Sequence, residues 1–314
     1  MSSYIARRLL ALIPVLLVVG VVVFLLIHLT PGDPAAVMLG PEASEAQVQE
    51  LRQELGLDQP VWVQFFAWFG ELLRGNLGDS MFLQQPVAQA IWQRLGPTGS
   101  LTALALAIAL LIGLPAGILG AWYRDTPLDQ LIISGALLGV SIPNFWLGLI
   151  LIGVFAVGLM WFPVAGYTSP SDSAGGWFLG LMLPAVALGS SQAGLIARML
   201  RDGMLDVLDQ DFIRTARSKG LIERAVVVGH ALPNAMIPTL TVIGTSVGTL
   251  LGGAVVTERV FAIPGIGSLI VDSISRRDYP VVQGAVLFIA MVYVLVNLAI
   301  DLAYAVIDPR IRYD

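Results

Sequence analysis

Apolar residues fall into six long runs along this chain, separated by shorter polar stretches. The runs cover residues 9–29, 99–122, 131–158, 177–197, 236–257 and 283–307. A helix needs about 20 apolar residues to cross a bilayer, so each run is long enough to span. Arg7 and Arg8 precede the first run. It exceeds the apolar core of a cleaved signal peptide, which is about 7–15 residues, so it reads as a retained helix with its N-terminus in the cytoplasm. The fourth run is the most interrupted, carrying Pro184 and the polar patch Ser190-Ser191-Gln192. The third contains Ser141-Ile142-Pro143-Asn144, where proline frees a backbone carbonyl and bends the helix. That bend serves either a solute pathway or packing. The expected fold is an all-α membrane protein: a single domain over residues 1–314, six transmembrane helices, and both termini cytoplasmic.

The basic residues support this orientation. Arg7, Arg8, Arg124, Arg198, Arg201, Arg214, Arg217, Lys219, Arg224, Arg310 and Arg312 fall on the inner side, against Arg52, Arg74, Arg94, Arg259, Arg276 and Arg277 outside. The excess is on the cytoplasmic side, where short loops concentrate Lys and Arg. Composition agrees: 56% of the 314 residues are hydrophobic and only 12% charged, and the mean hydropathy is +0.81. A soluble domain carries about a quarter charged residues. There are no cysteines and only two histidines, His28 and His230, so disulfides are excluded and a histidine metal site is not expected.

Residues 30–98 form the one long outer segment. It opens with a Pro31-Gly32-Asp33-Pro34 turn. Ser44 with Gln47 makes a capping box, Val48, Leu51 and Leu55 share a helical face, and Gly56 ends that helix. A second short helix starts at Pro60 and carries Trp62, Phe65, Phe66, Trp68 and Phe69, a density of aromatics suited to the membrane–water interface. So short a segment has little independent core. It reads as a small extracytoplasmic subdomain packed on helix ends.

The inner segment 198–235 is the polar exception in an apolar chain. Arg214, Arg217, Lys219 and Arg224 lie within eleven residues, and Lys219 is the only lysine. Asp209 or Asp211 suits a helix start, Gly220 suits a left-handed helix end, and a second short helix follows and stops near Pro233. In the fifth run Gly244, Ser246, Gly248, Gly252 and Gly253 offer a small-residue face, for helix packing or for a smooth pathway wall. Asn297 and Asp301 lie in the last run, where a carboxylate faces protein or water, so Asp301 serves either the pathway or as a structural partner for a neighbouring helix. Candidate pathway residues are Asn144, Gly248, Gly252 and Asp301.

Arg214-Thr215-Ala216, then Gly220, then Leu232-Pro233 resembles the signature loop of ABC-importer permeases, in the dipeptide/oligopeptide/nickel branch. The usual glutamate and isoleucine of that loop are replaced here by Arg214 and His230. Gly56-Leu-Asp-Gln-Pro60, Gln85-Pro86-Val87, the string Thr257 to Gly267, Arg277-Asp278-Tyr279-Pro280 and Asp308-Pro309-Arg310-Ile311-Arg312 resemble the same branch, so the likeness runs nearly the full length. It implies a type I importer permease in the inner membrane. Arg214, Thr215, Ala216, Arg217, Lys219, Gly220, Leu232 and Pro233 would belong to the helix that couples to an ATPase. The 257–267 string would be a short re-entrant element facing a binding protein. The implied partners are a second homologous permease subunit, as a heterodimer, two ATPase subunits, an extracytoplasmic solute-binding protein and membrane lipid, with no nucleic acid.

The chain itself contains no Gly-Lys-Ser/Thr, which a phosphate-binding P-loop requires, and no plausible nucleophile–His–acid set. It is therefore expected to be a transport subunit rather than an enzyme, with no cofactor or metal of its own and with ATP and Mg on the partner ATPases. Peptides are the expected solute, with glutathione or a nickel complex as alternatives. A stand-alone secondary carrier would need ionisable residues along its spans, and only His28 and Asp301 are candidates. A scaffold without transport would have no need of the signature-loop spacing.

Overall fold

A computed structural model describes residues 2–29, 34–40, 42–54, 56–80 and 82–307. The Pro31–Asp33 turn, Leu55 and the 308–312 tail lie outside the described residues, as do the side chains of Arg7, Arg8, His28, Leu51 and Asp301. The helices are α1 (Ser2–Leu29), α2 (Pro34–Leu39), α3 (Glu45–Glu54) and α4 (Val61–Leu73). A hairpin of β1 (Asp79–Ser80) and β2 (Gln85–Pro86) follows, antiparallel, with Asp79 opposite Pro86. Then come α5 (Val87–Trp122), α6 (Pro127–Ser141), α7 (Asn144–Leu151), α8 (Ala174–Leu208), α9 (Asp211–Ser218), α10 (Glu223–Val226), α11 (Leu232–Val260), α12 (Ile266–Arg276) and α13 (Tyr279–Ile307).

Among the described residues, four helical stretches are long and apolar enough to cross a membrane: Val87–Trp122, Ala174–Leu208, Glu223–Val260 and Tyr279–Ile300. The third expected span differs from a kinked helix. α6 and α7, the latter continued by a wide i→i+5 turn over Ile152–Gly158, are bent by 102° at their junction. The cause is local. Pro143 disfavours the helical region for Ile142, which sits at φ −82°, ψ 124°. Pro143 is itself extended at φ −60°, ψ 132°. Two successive extended residues break the helix rather than bend it.

The chain divides into two compact units, with the boundaries inside α5, α12 and α13. The first comprises residues 1–95 and 269–294. Its Ser44–Gln47 capping box forms as the sequence suggests, with the Ser44 N–H donating to Gln47 Oε1 at 2.9 Å and the Gln47 N–H to Ser44 Oγ at 3.3 Å. Ser80 Oγ, in the hairpin, donates to the buried Asp278 carboxylate at 2.5 Å. On α1, Phe24 packs against Phe65 and Trp68 of α4 with ring centroids 5.3 and 5.6 Å apart.

The second unit, residues 96–268 and 295–314, is organised around α8. Two of its glycines lie directly against neighbouring backbones. A Cβ at Gly189 would stand 2.5 Å from the Ala105 carbonyl oxygen of α5, and one at Gly194 would be closer still to the Ala136 carbonyl of α6. Gly113 and Gly117 of α5 answer from the other side, each opposite a carbonyl of α8. Around these approaches Leu101, Leu181, Leu188, Leu250 and Ile263 form one buried cluster. Helices surrounded by lipid gain little from hydrophobic exclusion, so such close backbone contact is what holds them.

At the far end of α11, Glu258 is fully buried. Its Oε1 accepts from Thr98 Oγ1 at 2.6 Å and its Oε2 from the Ser268 N–H at 2.9 Å. Thr98 Oγ1 in turn accepts from the Ile266 N–H at 2.8 Å. Side chains from α5 and α11 thus satisfy free N–H groups in the first turn of α12. Gly265 is required here because a Cβ would collide with the Glu258 carboxylate. The expected element over 257–267 is therefore the end of α11, a short turn and the start of α12.

Gly194→Leu should prevent the α6–α8 approach, because overpacking a tight contact costs about 1–3 kcal/mol or more. Gly135→Leu, at a position with open space beside it, should leave the protein folded. Size-exclusion profiles and melting temperatures in detergent check both.

Candidate functional site

The polar bracket of 209–233 is built on the end of α8. The residue before α9 is Gln210, with extended backbone and no side-chain cap, so neither Asp209 nor Asp211 caps the helix as expected. Asp211 instead occupies the first turn, where a carboxylate suits the helix dipole, and pairs with Arg214 at 3.1 Å. Gly220 has φ +80°, the left-handed conformation expected of it. The Leu221 N–H donates to the Ala216 carbonyl and the Gly220 N–H to that of Arg217, at 3.4 and 2.9 Å. This pair of bonds is the Schellman helix ending.

Beyond the turn the chain does not stop at Pro233. α10 passes through a wide i→i+5 turn at Val227–Ala231 straight into α11, and Pro233 lies in the first turn of α11. Proline has no N–H to return to Gly229. The wide turn just before it accommodates the missing bond without ending the helix.

α9 is two-faced. Ile213 and Ala216 are buried with Leu200, Met204 and Val207 of α8 and with Val226, Val227 and Ala231, and Leu232 packs against the same cluster. The outer face carries Phe212, Arg214, Thr215, Ser218, Lys219, Leu221 and Ile222, the last 71% exposed. Thr215 and Ser218 turn their hydroxyls onto the backbone carbonyls of Asp211 and Arg214. Arg217 closes the bracket on itself: its Nε and Nη2 donate to the Glu223 carboxylate at 3.2 and 2.7 Å. Those bonds raise the Arg217 guanidinium above its ordinary value. Among the described residues Lys219 and Arg224 have no ion-pair partner and are exposed.

Two ion pairs fix the mount. Arg124 meets Asp209 at 3.5 Å on the surface. Asp129, in the first turn of α6, receives Arg201 of α8 through two bonds of 2.6 and 2.7 Å. The side chains are 3% and 14% exposed. The Asp129 carboxylate also accepts from the Asp125 N–H at 3.1 Å. Sequence reasoning missed this pair. Its partners lie 72 positions apart, and nothing local marks Arg201 among the inner-side arginines.

The pathway candidates fall in different places. Asn144 begins α7, and its Nδ2 lies 3.6 Å from where a Cβ on Gly253 would stand. Gly252 faces open space, whereas Gly253 abuts Leu188 and Gly244 abuts Ile300. Gly248 is half-buried on α11. The small-residue face is therefore divided between packing and open surface.

The arrangement is a helical membrane protein with a break in one span and a basic, two-faced bracket on α8, the most buried of its candidate spans. Residues 113–313 match the family described as binding-protein-dependent transport system inner membrane component, and residues 1–102 match the N-terminal part of such components. The chain belongs to this family of multi-pass inner-membrane proteins. It is 48% identical over 313 residues, the whole of both chains, to the probable peptide ABC transporter permease protein y4tP of Sinorhizobium fredii. It is 44% identical over 313 residues, again the whole of both, to the glutathione transport system permease protein GsiC of Escherichia coli. Among solved structures, the fold resembles a chain of the inward-facing MetNI methionine ABC transporter, with a TM-score of 0.59 at 19% identity, over 70% of this chain and 97% of that one.

Removing one member of a buried ion pair costs about 3–5 kcal/mol, whereas replacing both with apolar residues is often neutral. Asp129→Ala should therefore lower the melting temperature in detergent markedly. The double substitution Asp129→Leu with Arg201→Met should recover most of the loss.

Proposed function

We propose that this chain is one of two permease subunits, in a heterodimer, of an ATP-driven importer that passes peptides across the inner membrane. Six spans would place both termini and the bracket in the cytoplasm. Four described spans, the broken α6–α7 span and the 28-residue α1 are consistent with that number. Two ATPase subunits would hold ATP and Mg and carry out hydrolysis, and a binding protein would deliver the solute from outside. This chain would bind no cofactor of its own.

The observation that carries the reading is the construction of the bracket. Its inner face, Ile213 and Ala216, is buried on α8, while Phe212, Lys219, Leu221 and Ile222 are left outward on a rigid turn. Such a surface combines packed apolar contact with charges that guide docking. An ATPase subunit that binds it differently in two states would shift the permease between them. The internal pairing of Arg217 and Glu223 stiffens the bracket, leaving Lys219 and Arg224 for an acidic partner surface. Asn144 and Gly252 are proposed to line the pathway, with Gly248 and Asp301 as further candidates. Glutathione, itself a small peptide, is the second reading, supported by the full-length likeness to GsiC.

Gly220→Val tests coupling. Valine is strained at φ +80° by about 1–2 kcal/mol, so the bracket should be misdirected while the spans stay folded. In reconstituted vesicles both peptide uptake and peptide-stimulated ATP hydrolysis should be lost. Lys219→Ala should weaken them less. Normal transport with Gly220→Val would sink the coupling role. Gly252→Leu, in the same vesicles, should cut uptake in an assembled complex.

A further inference from the structure

The segment 30–98 reads as extracytoplasmic, yet one of its helices has a surface unlike that of a helix in water. Trp62, Phe66 and Leu73 lie on a single face of α4 at 66%, 67% and 75% exposure. None of the residues of α4 is buried. From Val61 to Gly70 the only polar side-chain groups besides the indole N–H groups of Trp62 and Trp68 belong to Gln64, whose Nε2 is turned back onto the Leu57 and Gln59 carbonyls at 3.3 and 2.8 Å. Ionic groups are confined to the two ends: Asp58 precedes the helix, and Glu71 pairs with Arg74 and Asn76 at its close. A contiguous aromatic face of this kind marks an interaction surface.

What covers the face follows from where α4 sits on α1. Its Phe65 and Trp68 rings pack on Phe24, and its Phe69 ring lies 3.8 Å from where a Cβ on Gly20 would stand. Those contacts are five and nine residues before Leu29, the end of the α1 helix. At 1.5 Å per residue they lie about 8–14 Å along the helix from that end. An in-plane interfacial helix buries its apolar face about 5–10 Å into the headgroup–acyl boundary. The rest of α1 at this level is apolar and outward: Val18 and Val22 are 60% and 53% exposed. The Val23 carbonyl, on another side, receives Gln283 of α13.

We infer that α4 lies in the outer leaflet as an interfacial helix, with the Trp62–Phe66–Leu73 face in contact with lipid acyl chains and the Asp58 and Glu71–Asn76 ends at the headgroups. The outer segment is thereby anchored to the bilayer beside α1 instead of standing in water. The ring contacts with Phe24 serve as the fixed point of the anchor. The surface is chemically suited to the headgroup–acyl boundary because it offers no acceptor or charge over almost three turns, and its one donor, the indole N–H of Trp62, stands near the Asp58 end, where headgroups can accept from it. An aqueous partner would find only apolar contact there, at a depth along α1 set by Gly20 and Phe24.

The absence of native cysteine makes the test direct. Single cysteines at Phe66 and, separately, Trp62 are spin-labelled in the full-length chain, purified with its partner subunits and reconstituted in vesicles of phosphatidylethanolamine and phosphatidylglycerol. Val18→Cys serves as the lipid reference and Gln47→Cys as the aqueous one. Power saturation then compares collision with oxygen and with a water-soluble nickel complex. Labels at 66 and 62 should favour oxygen over nickel, as at 18, and the order should reverse at 47. If 66 and 62 collide with nickel as readily as 47, the face is in water and the inference is wrong. If they are closed to both reagents, a protein covers the face and lipid does not.

Discussion

The close backbone approach of α8 to α5 and α6 is the constraint on which the second unit depends. Within a bilayer, apolar side chains gain nothing by leaving lipid for one another, so a bundle is held by contact too close for lipid to enter. Gly189 and Gly194 provide that contact on α8, and Gly113 and Gly117 return it from α5. Everything else in the unit is placed by it. The broken α6–α7 segment packs along α8 through Ala136, and the buried Leu101–Ile263 cluster closes around the same helix. The bracket is the direct continuation of α8 through Asp209 and Gln210.

Because the bracket is carried by α8 and α11 rather than by a free loop, it has little independence. Ile213 and Ala216 are locked into the cluster below them, Gly220 fixes the reversal, and the Arg217–Glu223 pair ties its two arms together. The Asp129–Arg201 pair then joins α6 to α8 one level deeper. A force on the outer face of the bracket therefore reaches two long helices at once. At the other end of α11, Glu258 and Thr98 hold the first turn of α12 by its N–H groups. One continuous helix thus runs from the bracket to a fully buried polar clasp.

Local signals in the sequence carried far. The apolar runs, the Ser44–Gln47 box, the aromatic helix after Pro60 and the left-handed Gly220 are each set by residues within a few positions, and each is legible for that reason. The family was legible from spacing in the bracket, and the full-length likeness to known permeases bears that out. The contacts between distant residues were not legible. Asp129 with Arg201 and Glu258 with Thr98 join positions 72 and 160 apart, and no periodicity announces such partners. The break at Ile142-Pro143 was half visible, since proline within a span allows either a kink or a break, and tertiary packing decides between them. The cap of α9 went to Gln210 because the end of α8 already uses Asp209, which is its C-terminal flanking residue.

The outward face of the bracket is proposed as an ATPase docking surface on the cytoplasmic side. A photoactivated benzophenone attached to a single cysteine at Ile222, the most exposed apolar residue of the bracket, tests it most directly. In the assembled complex, irradiation should join this chain covalently to an ATPase subunit. The same probe at Val18, on the exposed apolar face of α1, should give no such adduct. A complex that transports normally, yet yields no ATPase adduct from position 222, would contradict the account.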